Sequence, residues 1–321
     1  MVDLRLGDCL EIMRDMPAAS VDAVIVDLPY FEIAPHEWDR QWENRAAYVE
    51  WVMELAREWK RITKNNSSIF VFADEKTEAY LQVRLDEMFL LLNKIVWYKK
   101  NNLPQKNAHL LRSFAPMTER ALFYTTQYDA TGWESVKLDV NNFMPLREYF
   151  REFQNALGMN IKQINSTLGH RKAEHAFYWN TTQWDLPTPE TYAELLALNP
   201  NHGFKPRAYE DLRRAYEDLR RPFNADSKTF DVIELPIIGG DENTEHPTTK
   251  PLGLMQRVVS VITNAGQTIL DCCMGSGTTG VACARLNRNF IGIEINPQYF
   301  EIAQRRIAEA QAQMTLNLVT A

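Results

Sequence analysis

Two short segments, each opened by an aspartate, carry the residue types that could do chemistry in this 321-residue chain. Asp27 begins the sequence Asp-Leu-Pro-Tyr and directly follows the β-branched run 21–26. Asp271 begins the glycine-containing segment 271–279 and follows the apolar run 268–270. An acid just past a short apolar strand lies at the carboxyl edge of an open parallel sheet, where such sheets bind ligands. The pattern therefore predicts that both aspartates belong to an active site.

The second segment has the features of a nucleoside-binding loop. Gly275 and Gly277 allow a sharp turn and a close approach of the backbone to a ligand, although a glycine pair alone also fits an ordinary tight turn. Glu294 ends the following apolar run 290–293, where it can accept hydrogen bonds from ribose hydroxyls. The loop has neither the Gly-Lys-Ser/Thr ending of a P-loop nor the Gly-x-Gly-x-x-Gly spacing, which disfavours a pyrophosphate ligand.

The elements that must position these residues alternate between apolar strands and amphipathic helices. The predicted strands cover residues 23–26, 69–72, 94–98, 121–125, 268–270 and 290–293. The predicted helices cover residues 48–62, 77–88, 254–263 and 279–286. This alternation predicts a doubly wound, Rossmann-like α/β fold.

The alternation of strands and helices is interrupted between residues 131 and 240, where the sequence becomes polar and helical. We expect an inserted, mainly helical module between a first half, 1–130, and a second half, 241–321. Within the insert, one helix ending at Gly169 and a second over 171–179 could form a helix-turn-helix. Any two short helices joined by glycine give the same pattern.

A seven-residue sequence occurs twice without change, as 207–213 and as 214–220. The repeat predicts one helix with an apolar stripe that consists of Tyr209, Leu212, Tyr216 and Leu219. Two heptads favour packing of this stripe within the same chain, and self-association into a homodimer is the alternative.

The net charge of −7 and the sequence pI near 5.5 argue against a protein that coats nucleic acid through bulk charge. Any basic contact surface must be local. The segment 99–112 contains no acid and is either a solvated loop or a phosphate-contacting one; its four basic residues are Lys99, Lys100, Lys106 and Arg112.

Compartment and cysteine content complete the compositional picture. We expect a cytoplasmic protein, because the sequence has no basic leader followed by an apolar run and no segment long and apolar enough to span a bilayer. Cys272 and Cys273 are adjacent, whereas Cys9 and Cys283 are remote, which fits neither a disulfide framework nor a metal site.

The motifs resemble those of one enzyme family. Segment 271–279, together with His246-Pro-Thr-Thr-Lys-Pro just upstream, resembles the S-adenosylmethionine site of DNA amino-methyltransferases, and Asp27-Leu-Pro-Tyr resembles their Asp-Pro-Pro-Tyr element. The order of the two elements resembles the β group of that family, over roughly 2–128 and 245–307. The resemblance implies S-adenosylmethionine as cofactor and suggests as its contacts Asp8, His246, Lys250, Asp271, Met274, Gly275, Ser276, Gly277, Thr278 and Glu294.

The Asp-Leu-Pro-Tyr element has a physical rationale for amino methylation. The amino nitrogen of adenine is a poor nucleophile because its lone pair is delocalised into the ring. Asp27 and the Leu28 carbonyl could accept both amino hydrogens and free the lone pair, while Pro29 restrains Leu28 in extended geometry. Tyr30, with Phe31, offers a face on which a flipped base can stack. The family usually has proline at position 28, and the bland interpretation of Asp27 is a capping acid on an ordinary turn.

These features predict direct methyl transfer to N6 of adenine in double-stranded DNA, without a cysteine nucleophile or an obligatory protein partner. N4-methylation of cytosine is the alternative within the family, and RNA or protein glutamine are less favoured acceptors. The insert is similar to that of solitary phage and prophage adenine methyltransferases, several of which have little sequence preference. A non-catalytic DNA-binding regulator is the alternative outside the family; its recognition helix would use Arg171, Lys172 and His175.

Overall fold

The structure is a computed structural model that describes residues 1–31, 41–100, 112, 114, 116–126, 143–181, 183–198, 204–219, 221–237 and 249–320. The strands of this described part are β1 (Val2–Leu6), β2 (Val21–Asp27), β3 (Thr63–Ala73), β4 (Leu90–Lys99), β5 (Thr118–Thr125), β6 (Val232–Leu235), β7 (Thr268–Asp271) and β8 (Asn289–Glu294). Its helices are α1 (Cys9–Arg14), α2 (Arg45–Ile62), α3 (Glu78–Leu85), α4 (Met144–Leu157), α5 (Ile161–Leu168), α6 (Pro189–Ala197), α7 (Tyr209–Leu219), α8 (Leu252–Ile262), α9 (Thr278–Arg285) and α10 (Pro297–Thr320). None of these helices is long and apolar enough to cross a membrane.

The strands form one mixed sheet in the order β1-β8-β7-β2-β3-β5-β4-β6. Every neighbouring pair is parallel except the two pairs that β5 makes, with β3 and with β4. The chain leaves β2 toward β3 on one side, while β7 and β8 lie on the other side. The carboxyl ends of β2, β7 and β8 therefore meet at one edge, at a switch in strand order where α/β sheets bind ligands.

Both faces of the sheet are covered, and the central strand β2 is fully buried from residue 23 to residue 26. Val24 and Val26 pack with α1, α2 and α3 on one face. Ala23 and Ile25 pack with α8, α9 and α10 on the other face. This two-sided burial explains the nearly continuous apolar run that ends at Asp27.

The chain divides into two compact units, one made of residues 1–128 with 222–321 and the other of residues 129–221. The doubly wound fold, its six predicted strands and its four predicted helices are confirmed, with shifted ends. Residues 222–237, predicted to lie in the insert, belong to the sheet unit instead, because β6 pairs with β4. A four-residue edge strand carries too little periodicity to be identified from the sequence.

The second unit has its own aromatic core, to which α4, α5, α6 and α7 contribute. In α7, Leu212 is fully buried and the rest of its apolar stripe packs on that core, which confirms packing within the chain. Helix α5 ends at Gly169 in the left-handed region, as predicted. The predicted second helix over 171–179 is wrong: only the 3₁₀ turn Glu174–Phe177 forms there, and its apolar residues Ala176 and Phe177 are buried in the aromatic core of this unit.

Candidate active site

The two acid-bearing segments lie together at the carboxyl edge of the sheet. Strands β2 and β7 are parallel neighbours, so the residues that follow them emerge side by side. Two consecutive residues also join the segments. Thr249 Oγ1 lies 3.1 Å from Ser276 Oγ in the glycine loop, and Lys250 Nζ lies 2.6 Å from Asp27 Oδ2.

Asp27 is a partly exposed carboxylate that covers a buried lysine. Its Oδ2 accepts a hydrogen bond from Lys250, and its Oδ1 accepts one from the Tyr30 hydroxyl at 3.1 Å. The Asp27 side chain remains 23% exposed, whereas that of Lys250 is 6% exposed. A group that approaches this edge from solvent therefore meets Asp27 before it meets the lysine.

Lys250 is held in a cage of opposite charge and aromatic rings. Its ammonium donates to the Tyr30 hydroxyl at 3.2 Å and lies 3.2 Å from Glu119 Oε2. The rings of Tyr30 and Phe72 are each centred 5.2 Å from Nζ, within cation–π range. The resemblance suggests Lys250 as a cofactor contact, but in the structure its ammonium lies on Asp27.

Glu119 is a member of the site that the sequence analysis missed. Its side chain also pairs with Lys99 at 2.5 Å, and Lys99 was predicted as a DNA contact. The residue lies two positions before buried Ala121 on β5, on the face that packs against α8. Asp27 holds the corresponding position on β2, so strand periodicity was the signal that could have found Glu119.

Opposing effects set the pKa values in this cluster. Burial raises the pKa of Asp27, and the lowering by Lys250 does not cancel this. Burial alone would lower the pKa of Lys250, but Asp27 and Glu119 hold it above its usual value. Burial alone would raise the pKa of Glu119, but Lys250 and Lys99 hold it below its usual value. Two carboxylates thus face two ammonium groups, and the cluster is neutral when all four are charged.

The glycine loop is shaped by close packing. Gly275 and Gly277 have φ angles of +51° and +78°. A Cβ at Gly277 would lie 2.8 Å from Ala303 Cβ on α10, so no other residue fits there without displacing the helix. The Gly275 N–H donates to Glu294 Oε2 at 2.9 Å, which fixes the acid at the mouth of the loop.

Glu294 and its surroundings fit a ribose. Its Oε1 accepts the Asn296 N–H at 2.9 Å and its Oε2 accepts the Gly275 N–H, which leaves a lone pair on each oxygen for a diol. Asp8 caps α1 through the N–H groups of residues 10 and 11. The Gly7 N–H donates to the Glu294 carbonyl at 2.9 Å, so Asp8 follows directly on the same edge. The acidic surroundings suit a nucleoside without phosphate.

Other predicted cofactor residues face inward. Asp271 is 2% exposed, and its oxygens accept the Thr279 hydroxyl at 2.6 Å and the Cys273 N–H at 3.2 Å. Burial raises the pKa of Asp271 to about 7. Arg306, which the sequence analysis missed, donates to the Ser276 carbonyl at 2.5 Å. Thr278 and Met274 are also nearly buried, and their assignment as cofactor contacts stays a prediction.

The fold brings together three cysteines that are far apart in sequence. Cys9 on α1 interacts with Cys272 and Cys273, which follow β7, and hydrogen bonds from those thiols lower the pKa of Cys9 to about 5. Burial raises the pKa of Cys283. Among the described residues, no cluster of His, Cys, Asp or Glu has the arrangement of a metal site.

The predicted DNA contacts divide between the two compact units. In the sheet unit, Lys100 lies 3.2 Å from Glu234 and Arg112 is exposed. In the second unit, Lys172 is exposed, Arg171 pairs with Glu174, and His175 Nδ1 lies 2.8 Å from the Gln183 carbonyl oxygen. Two further predicted residues, Lys106 and His246, lie outside the described residues.

Phe31, predicted to help form a stacking face, has a different environment. It is 9% exposed and packs in the core, with its ring 6.0 Å from that of Tyr48. Of the two aromatic residues predicted for this face, Tyr30 therefore remains the candidate for stacking.

Comparison with known proteins gives a consistent picture. A family model described as DNA methylase, for N6 and N4 enzymes, matches residues 21–305. The DNA adenine methyltransferase YhdJ of Escherichia coli K12 is 22% identical over 307 residues, which cover 94% of this chain and 81% of YhdJ. Type II methyltransferase M2.MboI of Moraxella bovis is 24% identical over 320 residues, covering 94% of this chain and 86% of that protein.

Solved structures share the fold. The M1.HpyAVI–SAM complex has a TM-score of 0.55 at 22% identity and covers 96% of this chain and 99% of its own. The cytosine-N4-specific PvuII DNA methyltransferase has a TM-score of 0.55 at 13% identity and covers 97% of this chain and 92% of its own.

Proposed function

The chain belongs to the N6/N4 DNA methylase family, and from that premise we propose that it transfers a methyl group from S-adenosylmethionine to N6 of adenine in double-stranded DNA. The observation that carries the proposal is the shared edge of β2 and β7. There the ribose-compatible Glu294 loop and the accessible carboxylate of Asp27 are joined through the consecutive residues Thr249 and Lys250.

The cofactor site is assigned to a small set of residues. Glu294 would accept the ribose hydroxyls, Asp8 would contact the adenine end, and Gly275 and Gly277 would let the backbone approach closely. When bound, S-adenosylmethionine supplies a sulfonium methyl group that an amine can attack. Lys250 and Asp271 are not assigned to the cofactor. Lys250 contacts Asp27, and Asp271 is buried in the glycine loop.

The chemical role falls on Asp27 and the backbone beside it. Asp27 accepts one hydrogen of the exocyclic amino group and the Leu28 carbonyl accepts the other, so the nitrogen moves toward tetrahedral geometry and its lone pair becomes available. Pro29 keeps Leu28 extended. The proton that the methylated nitrogen must lose goes to the Asp27 carboxylate, and the Tyr30 ring stacks on the flipped base.

The preference for adenine rests on two observations. Position 27 holds aspartate and not serine, which in this family leans toward adenine. The relative YhdJ is named a DNA adenine methyltransferase, although a structural neighbour is named cytosine-N4-specific. The insert, residues 129–221, would supply the reading of duplex DNA.

Base identity is tested by mass spectrometry of nucleosides. The protein is incubated with deuteromethyl-labelled S-adenosylmethionine and DNA from cells that lack amino-methylation, and the DNA is digested. We expect labelled N6-methyldeoxyadenosine in molar excess over the enzyme. Labelled N4-methyldeoxycytidine alone would show that the target base is cytosine and not adenine. The absence of both labelled nucleosides would overturn the proposal.

We further propose that the enzyme is cytoplasmic, acts without an obligatory protein partner and has little sequence preference. The support is the resemblance of the insert to those of solitary phage and prophage enzymes. Sequencing with modified-base detection, on DNA from cells that express the protein, should reveal methylated adenine in many sequence contexts. A single methylated motif would contradict weak specificity.

A further inference from the structure

Both oxygens of the Asp27 carboxylate are occupied before any base arrives. Oδ1 accepts the Tyr30 hydroxyl and Oδ2 accepts the Lys250 ammonium at 2.6 Å. An amino group that takes the place of the ammonium on Oδ2 displaces the closer of these partners, which is also the one that carries a charge. A displaced ammonium that is 6% exposed also needs a new acceptor, since an unpaired buried charge is costly.

Glu119 offers that acceptor at the required position. Its Oε2 lies 3.2 Å from Lys250 Nζ, is buried and makes no hydrogen bond within the described part of the chain. Its other oxygen, Oε1, is already held by Lys99 at 2.5 Å. The ammonium has three donors, of which Asp27 and Tyr30 take two, so its third donor is available to Glu119.

We propose, on the basis of the function proposed above, that Glu119 is a positioning residue that receives Lys250 when the target amino group takes Oδ2 of Asp27. The lysine then moves between two neighbouring carboxylates, and its ammonium keeps a charged partner at every stage. Lys99 keeps Glu119 ionised and oriented from the opposite side. Asp27 is thereby kept charged by Lys250 before the base binds and released when the base arrives.

A simpler role for Glu119 would be to neutralise Lys99 alone. The two roles differ in what happens when its charge is removed. In Glu119→Gln, the switching role predicts that Lys250 stays on Asp27 and competes with the base, whereas a counter-ion to Lys99 does not decide which carboxylate Lys250 contacts. The matched control is Glu78→Gln, because Glu78 is a comparably buried acid that lies 3.1 Å from Lys94.

Steady-state kinetics separate these roles. We expect Glu119→Gln to lower kcat by roughly 10- to 100-fold, the range for a misplaced catalytic group, with little change in KM for DNA or cofactor, because base engagement follows DNA binding. Glu78→Gln should retain wild-type kinetics. In a Lys250→Met background, adding Glu119→Gln should cause no further loss, because the effect of Glu119 acts through the lysine. An equal loss in both backgrounds would overturn the proposal.

The pH profile provides a readout that a merely structural defect would not move. In the described part of the chain, the titratable groups that interact with Asp27 and Glu119 are Lys250, Lys99, Tyr30 and Asp271, with Tyr48 behind Tyr30. The charge of Glu119 raises the pKa of Asp27, so its removal should shift the acid limb of the kcat profile to lower pH. A smaller kcat with an unmoved acid limb would contradict the switching role.

A measurement without DNA keeps this inference separate from the proposed function. Carboxyl ¹³C NMR of the labelled free protein, with the Asp27 signal identified by its absence in Asp27→Asn, follows its titration directly. We expect a lower Asp27 pKa in Glu119→Gln than in the wild type. An unchanged pKa would overturn competition for Lys250, even if methyl transfer to adenine is found. A pKa that falls further in the wild-type background than in the Lys250→Met background, where only the direct charge effect of Glu119 remains, would support that competition even if no transfer to DNA is found, and an equal fall in both backgrounds would overturn it.

Discussion

The change Lys250→Met removes a cation that contacts both Asp27 and Glu119 in the active site. In the wild type, its ammonium lies 2.6 Å from Asp27 and 3.2 Å from Glu119, and the side chain is 6% exposed. Methionine fills a similar volume without the charge, so the packing against Phe72 is largely kept. The variant therefore isolates the electrostatic contribution of the lysine.

The expected cost follows from the burial of the charges that remain. Removing one partner of a buried ion pair costs about 3–5 kcal/mol, because the other charge is left uncompensated. Asp27 is 23% exposed and Glu119 keeps Lys99, so we expect the lower end, about 3 kcal/mol at pH 8. Loss of the lysine raises the pKa of Asp27 further above its unfolded value. The destabilisation is thus present at high pH and disappears as the pH falls through that raised pKa.

Urea unfolding at pH 8 and pH 5 measures both expectations. Lys94→Met is the matched control, because Lys94 pairs with Glu78 at 3.1 Å but is 46% exposed. The control should cost less than about 1 kcal/mol at either pH. If Lys250→Met costs no more than the control, or costs the same at both pH values, the electrostatic account of the site is refuted.

Three further perturbations test the cofactor side of the edge. Because its raised pKa makes Asp271 bind a proton more tightly in the folded than in the unfolded state, the wild type should lose up to roughly 4 kcal/mol of stability as the pH rises from 4 to 7. Asp271→Asn should not show this loss, and equal pH slopes of the two proteins in urea unfolding would contradict the expectation. Gly277→Ala should lower the affinity for the cofactor at least about tenfold in calorimetry, because the new Cβ would lie 2.8 Å from a side chain of α10 and the φ of this residue is positive. The control Gly253→Ala, at a position with open space around it, should leave the affinity unchanged. Cys9→Ser should abolish thiolate absorbance at 240 nm at pH 7, and Cys283→Ser should not; retention of the absorbance in the first variant would refute the lowered pKa of Cys9.

The sequence was informative where the signal is local. Asp27 and Glu294 each end a short β-branched run, and such runs identify buried parallel strands and their carboxyl ends. The glycine loop was found because its composition matches a known backbone requirement. The doubly wound fold followed from the alternation of these runs with helices.

The remainder of the site depends on strand order, which no local pattern reports. Glu119 reaches Lys250 because β5 lies antiparallel beside β3, and Lys99 reaches Glu119 because β4 pairs with β5. Arg306 holds the glycine loop from a helix whose docking the sequence does not reveal. The segment 171–179 forms only a 3₁₀ turn that packs into the aromatic core of the second unit, and such tertiary packing can override local helix propensity.

The central claim is that Asp27 serves the acceptor base and not the cofactor. Its most direct test is one preparation of Asp27→Ala, measured for cofactor binding by calorimetry and for methyl transfer to DNA. We expect an affinity for S-adenosylmethionine close to that of the wild type and transfer reduced by at least about 100-fold. Equal loss of binding and transfer would make Asp27 a structural residue, and unimpaired transfer would contradict the account.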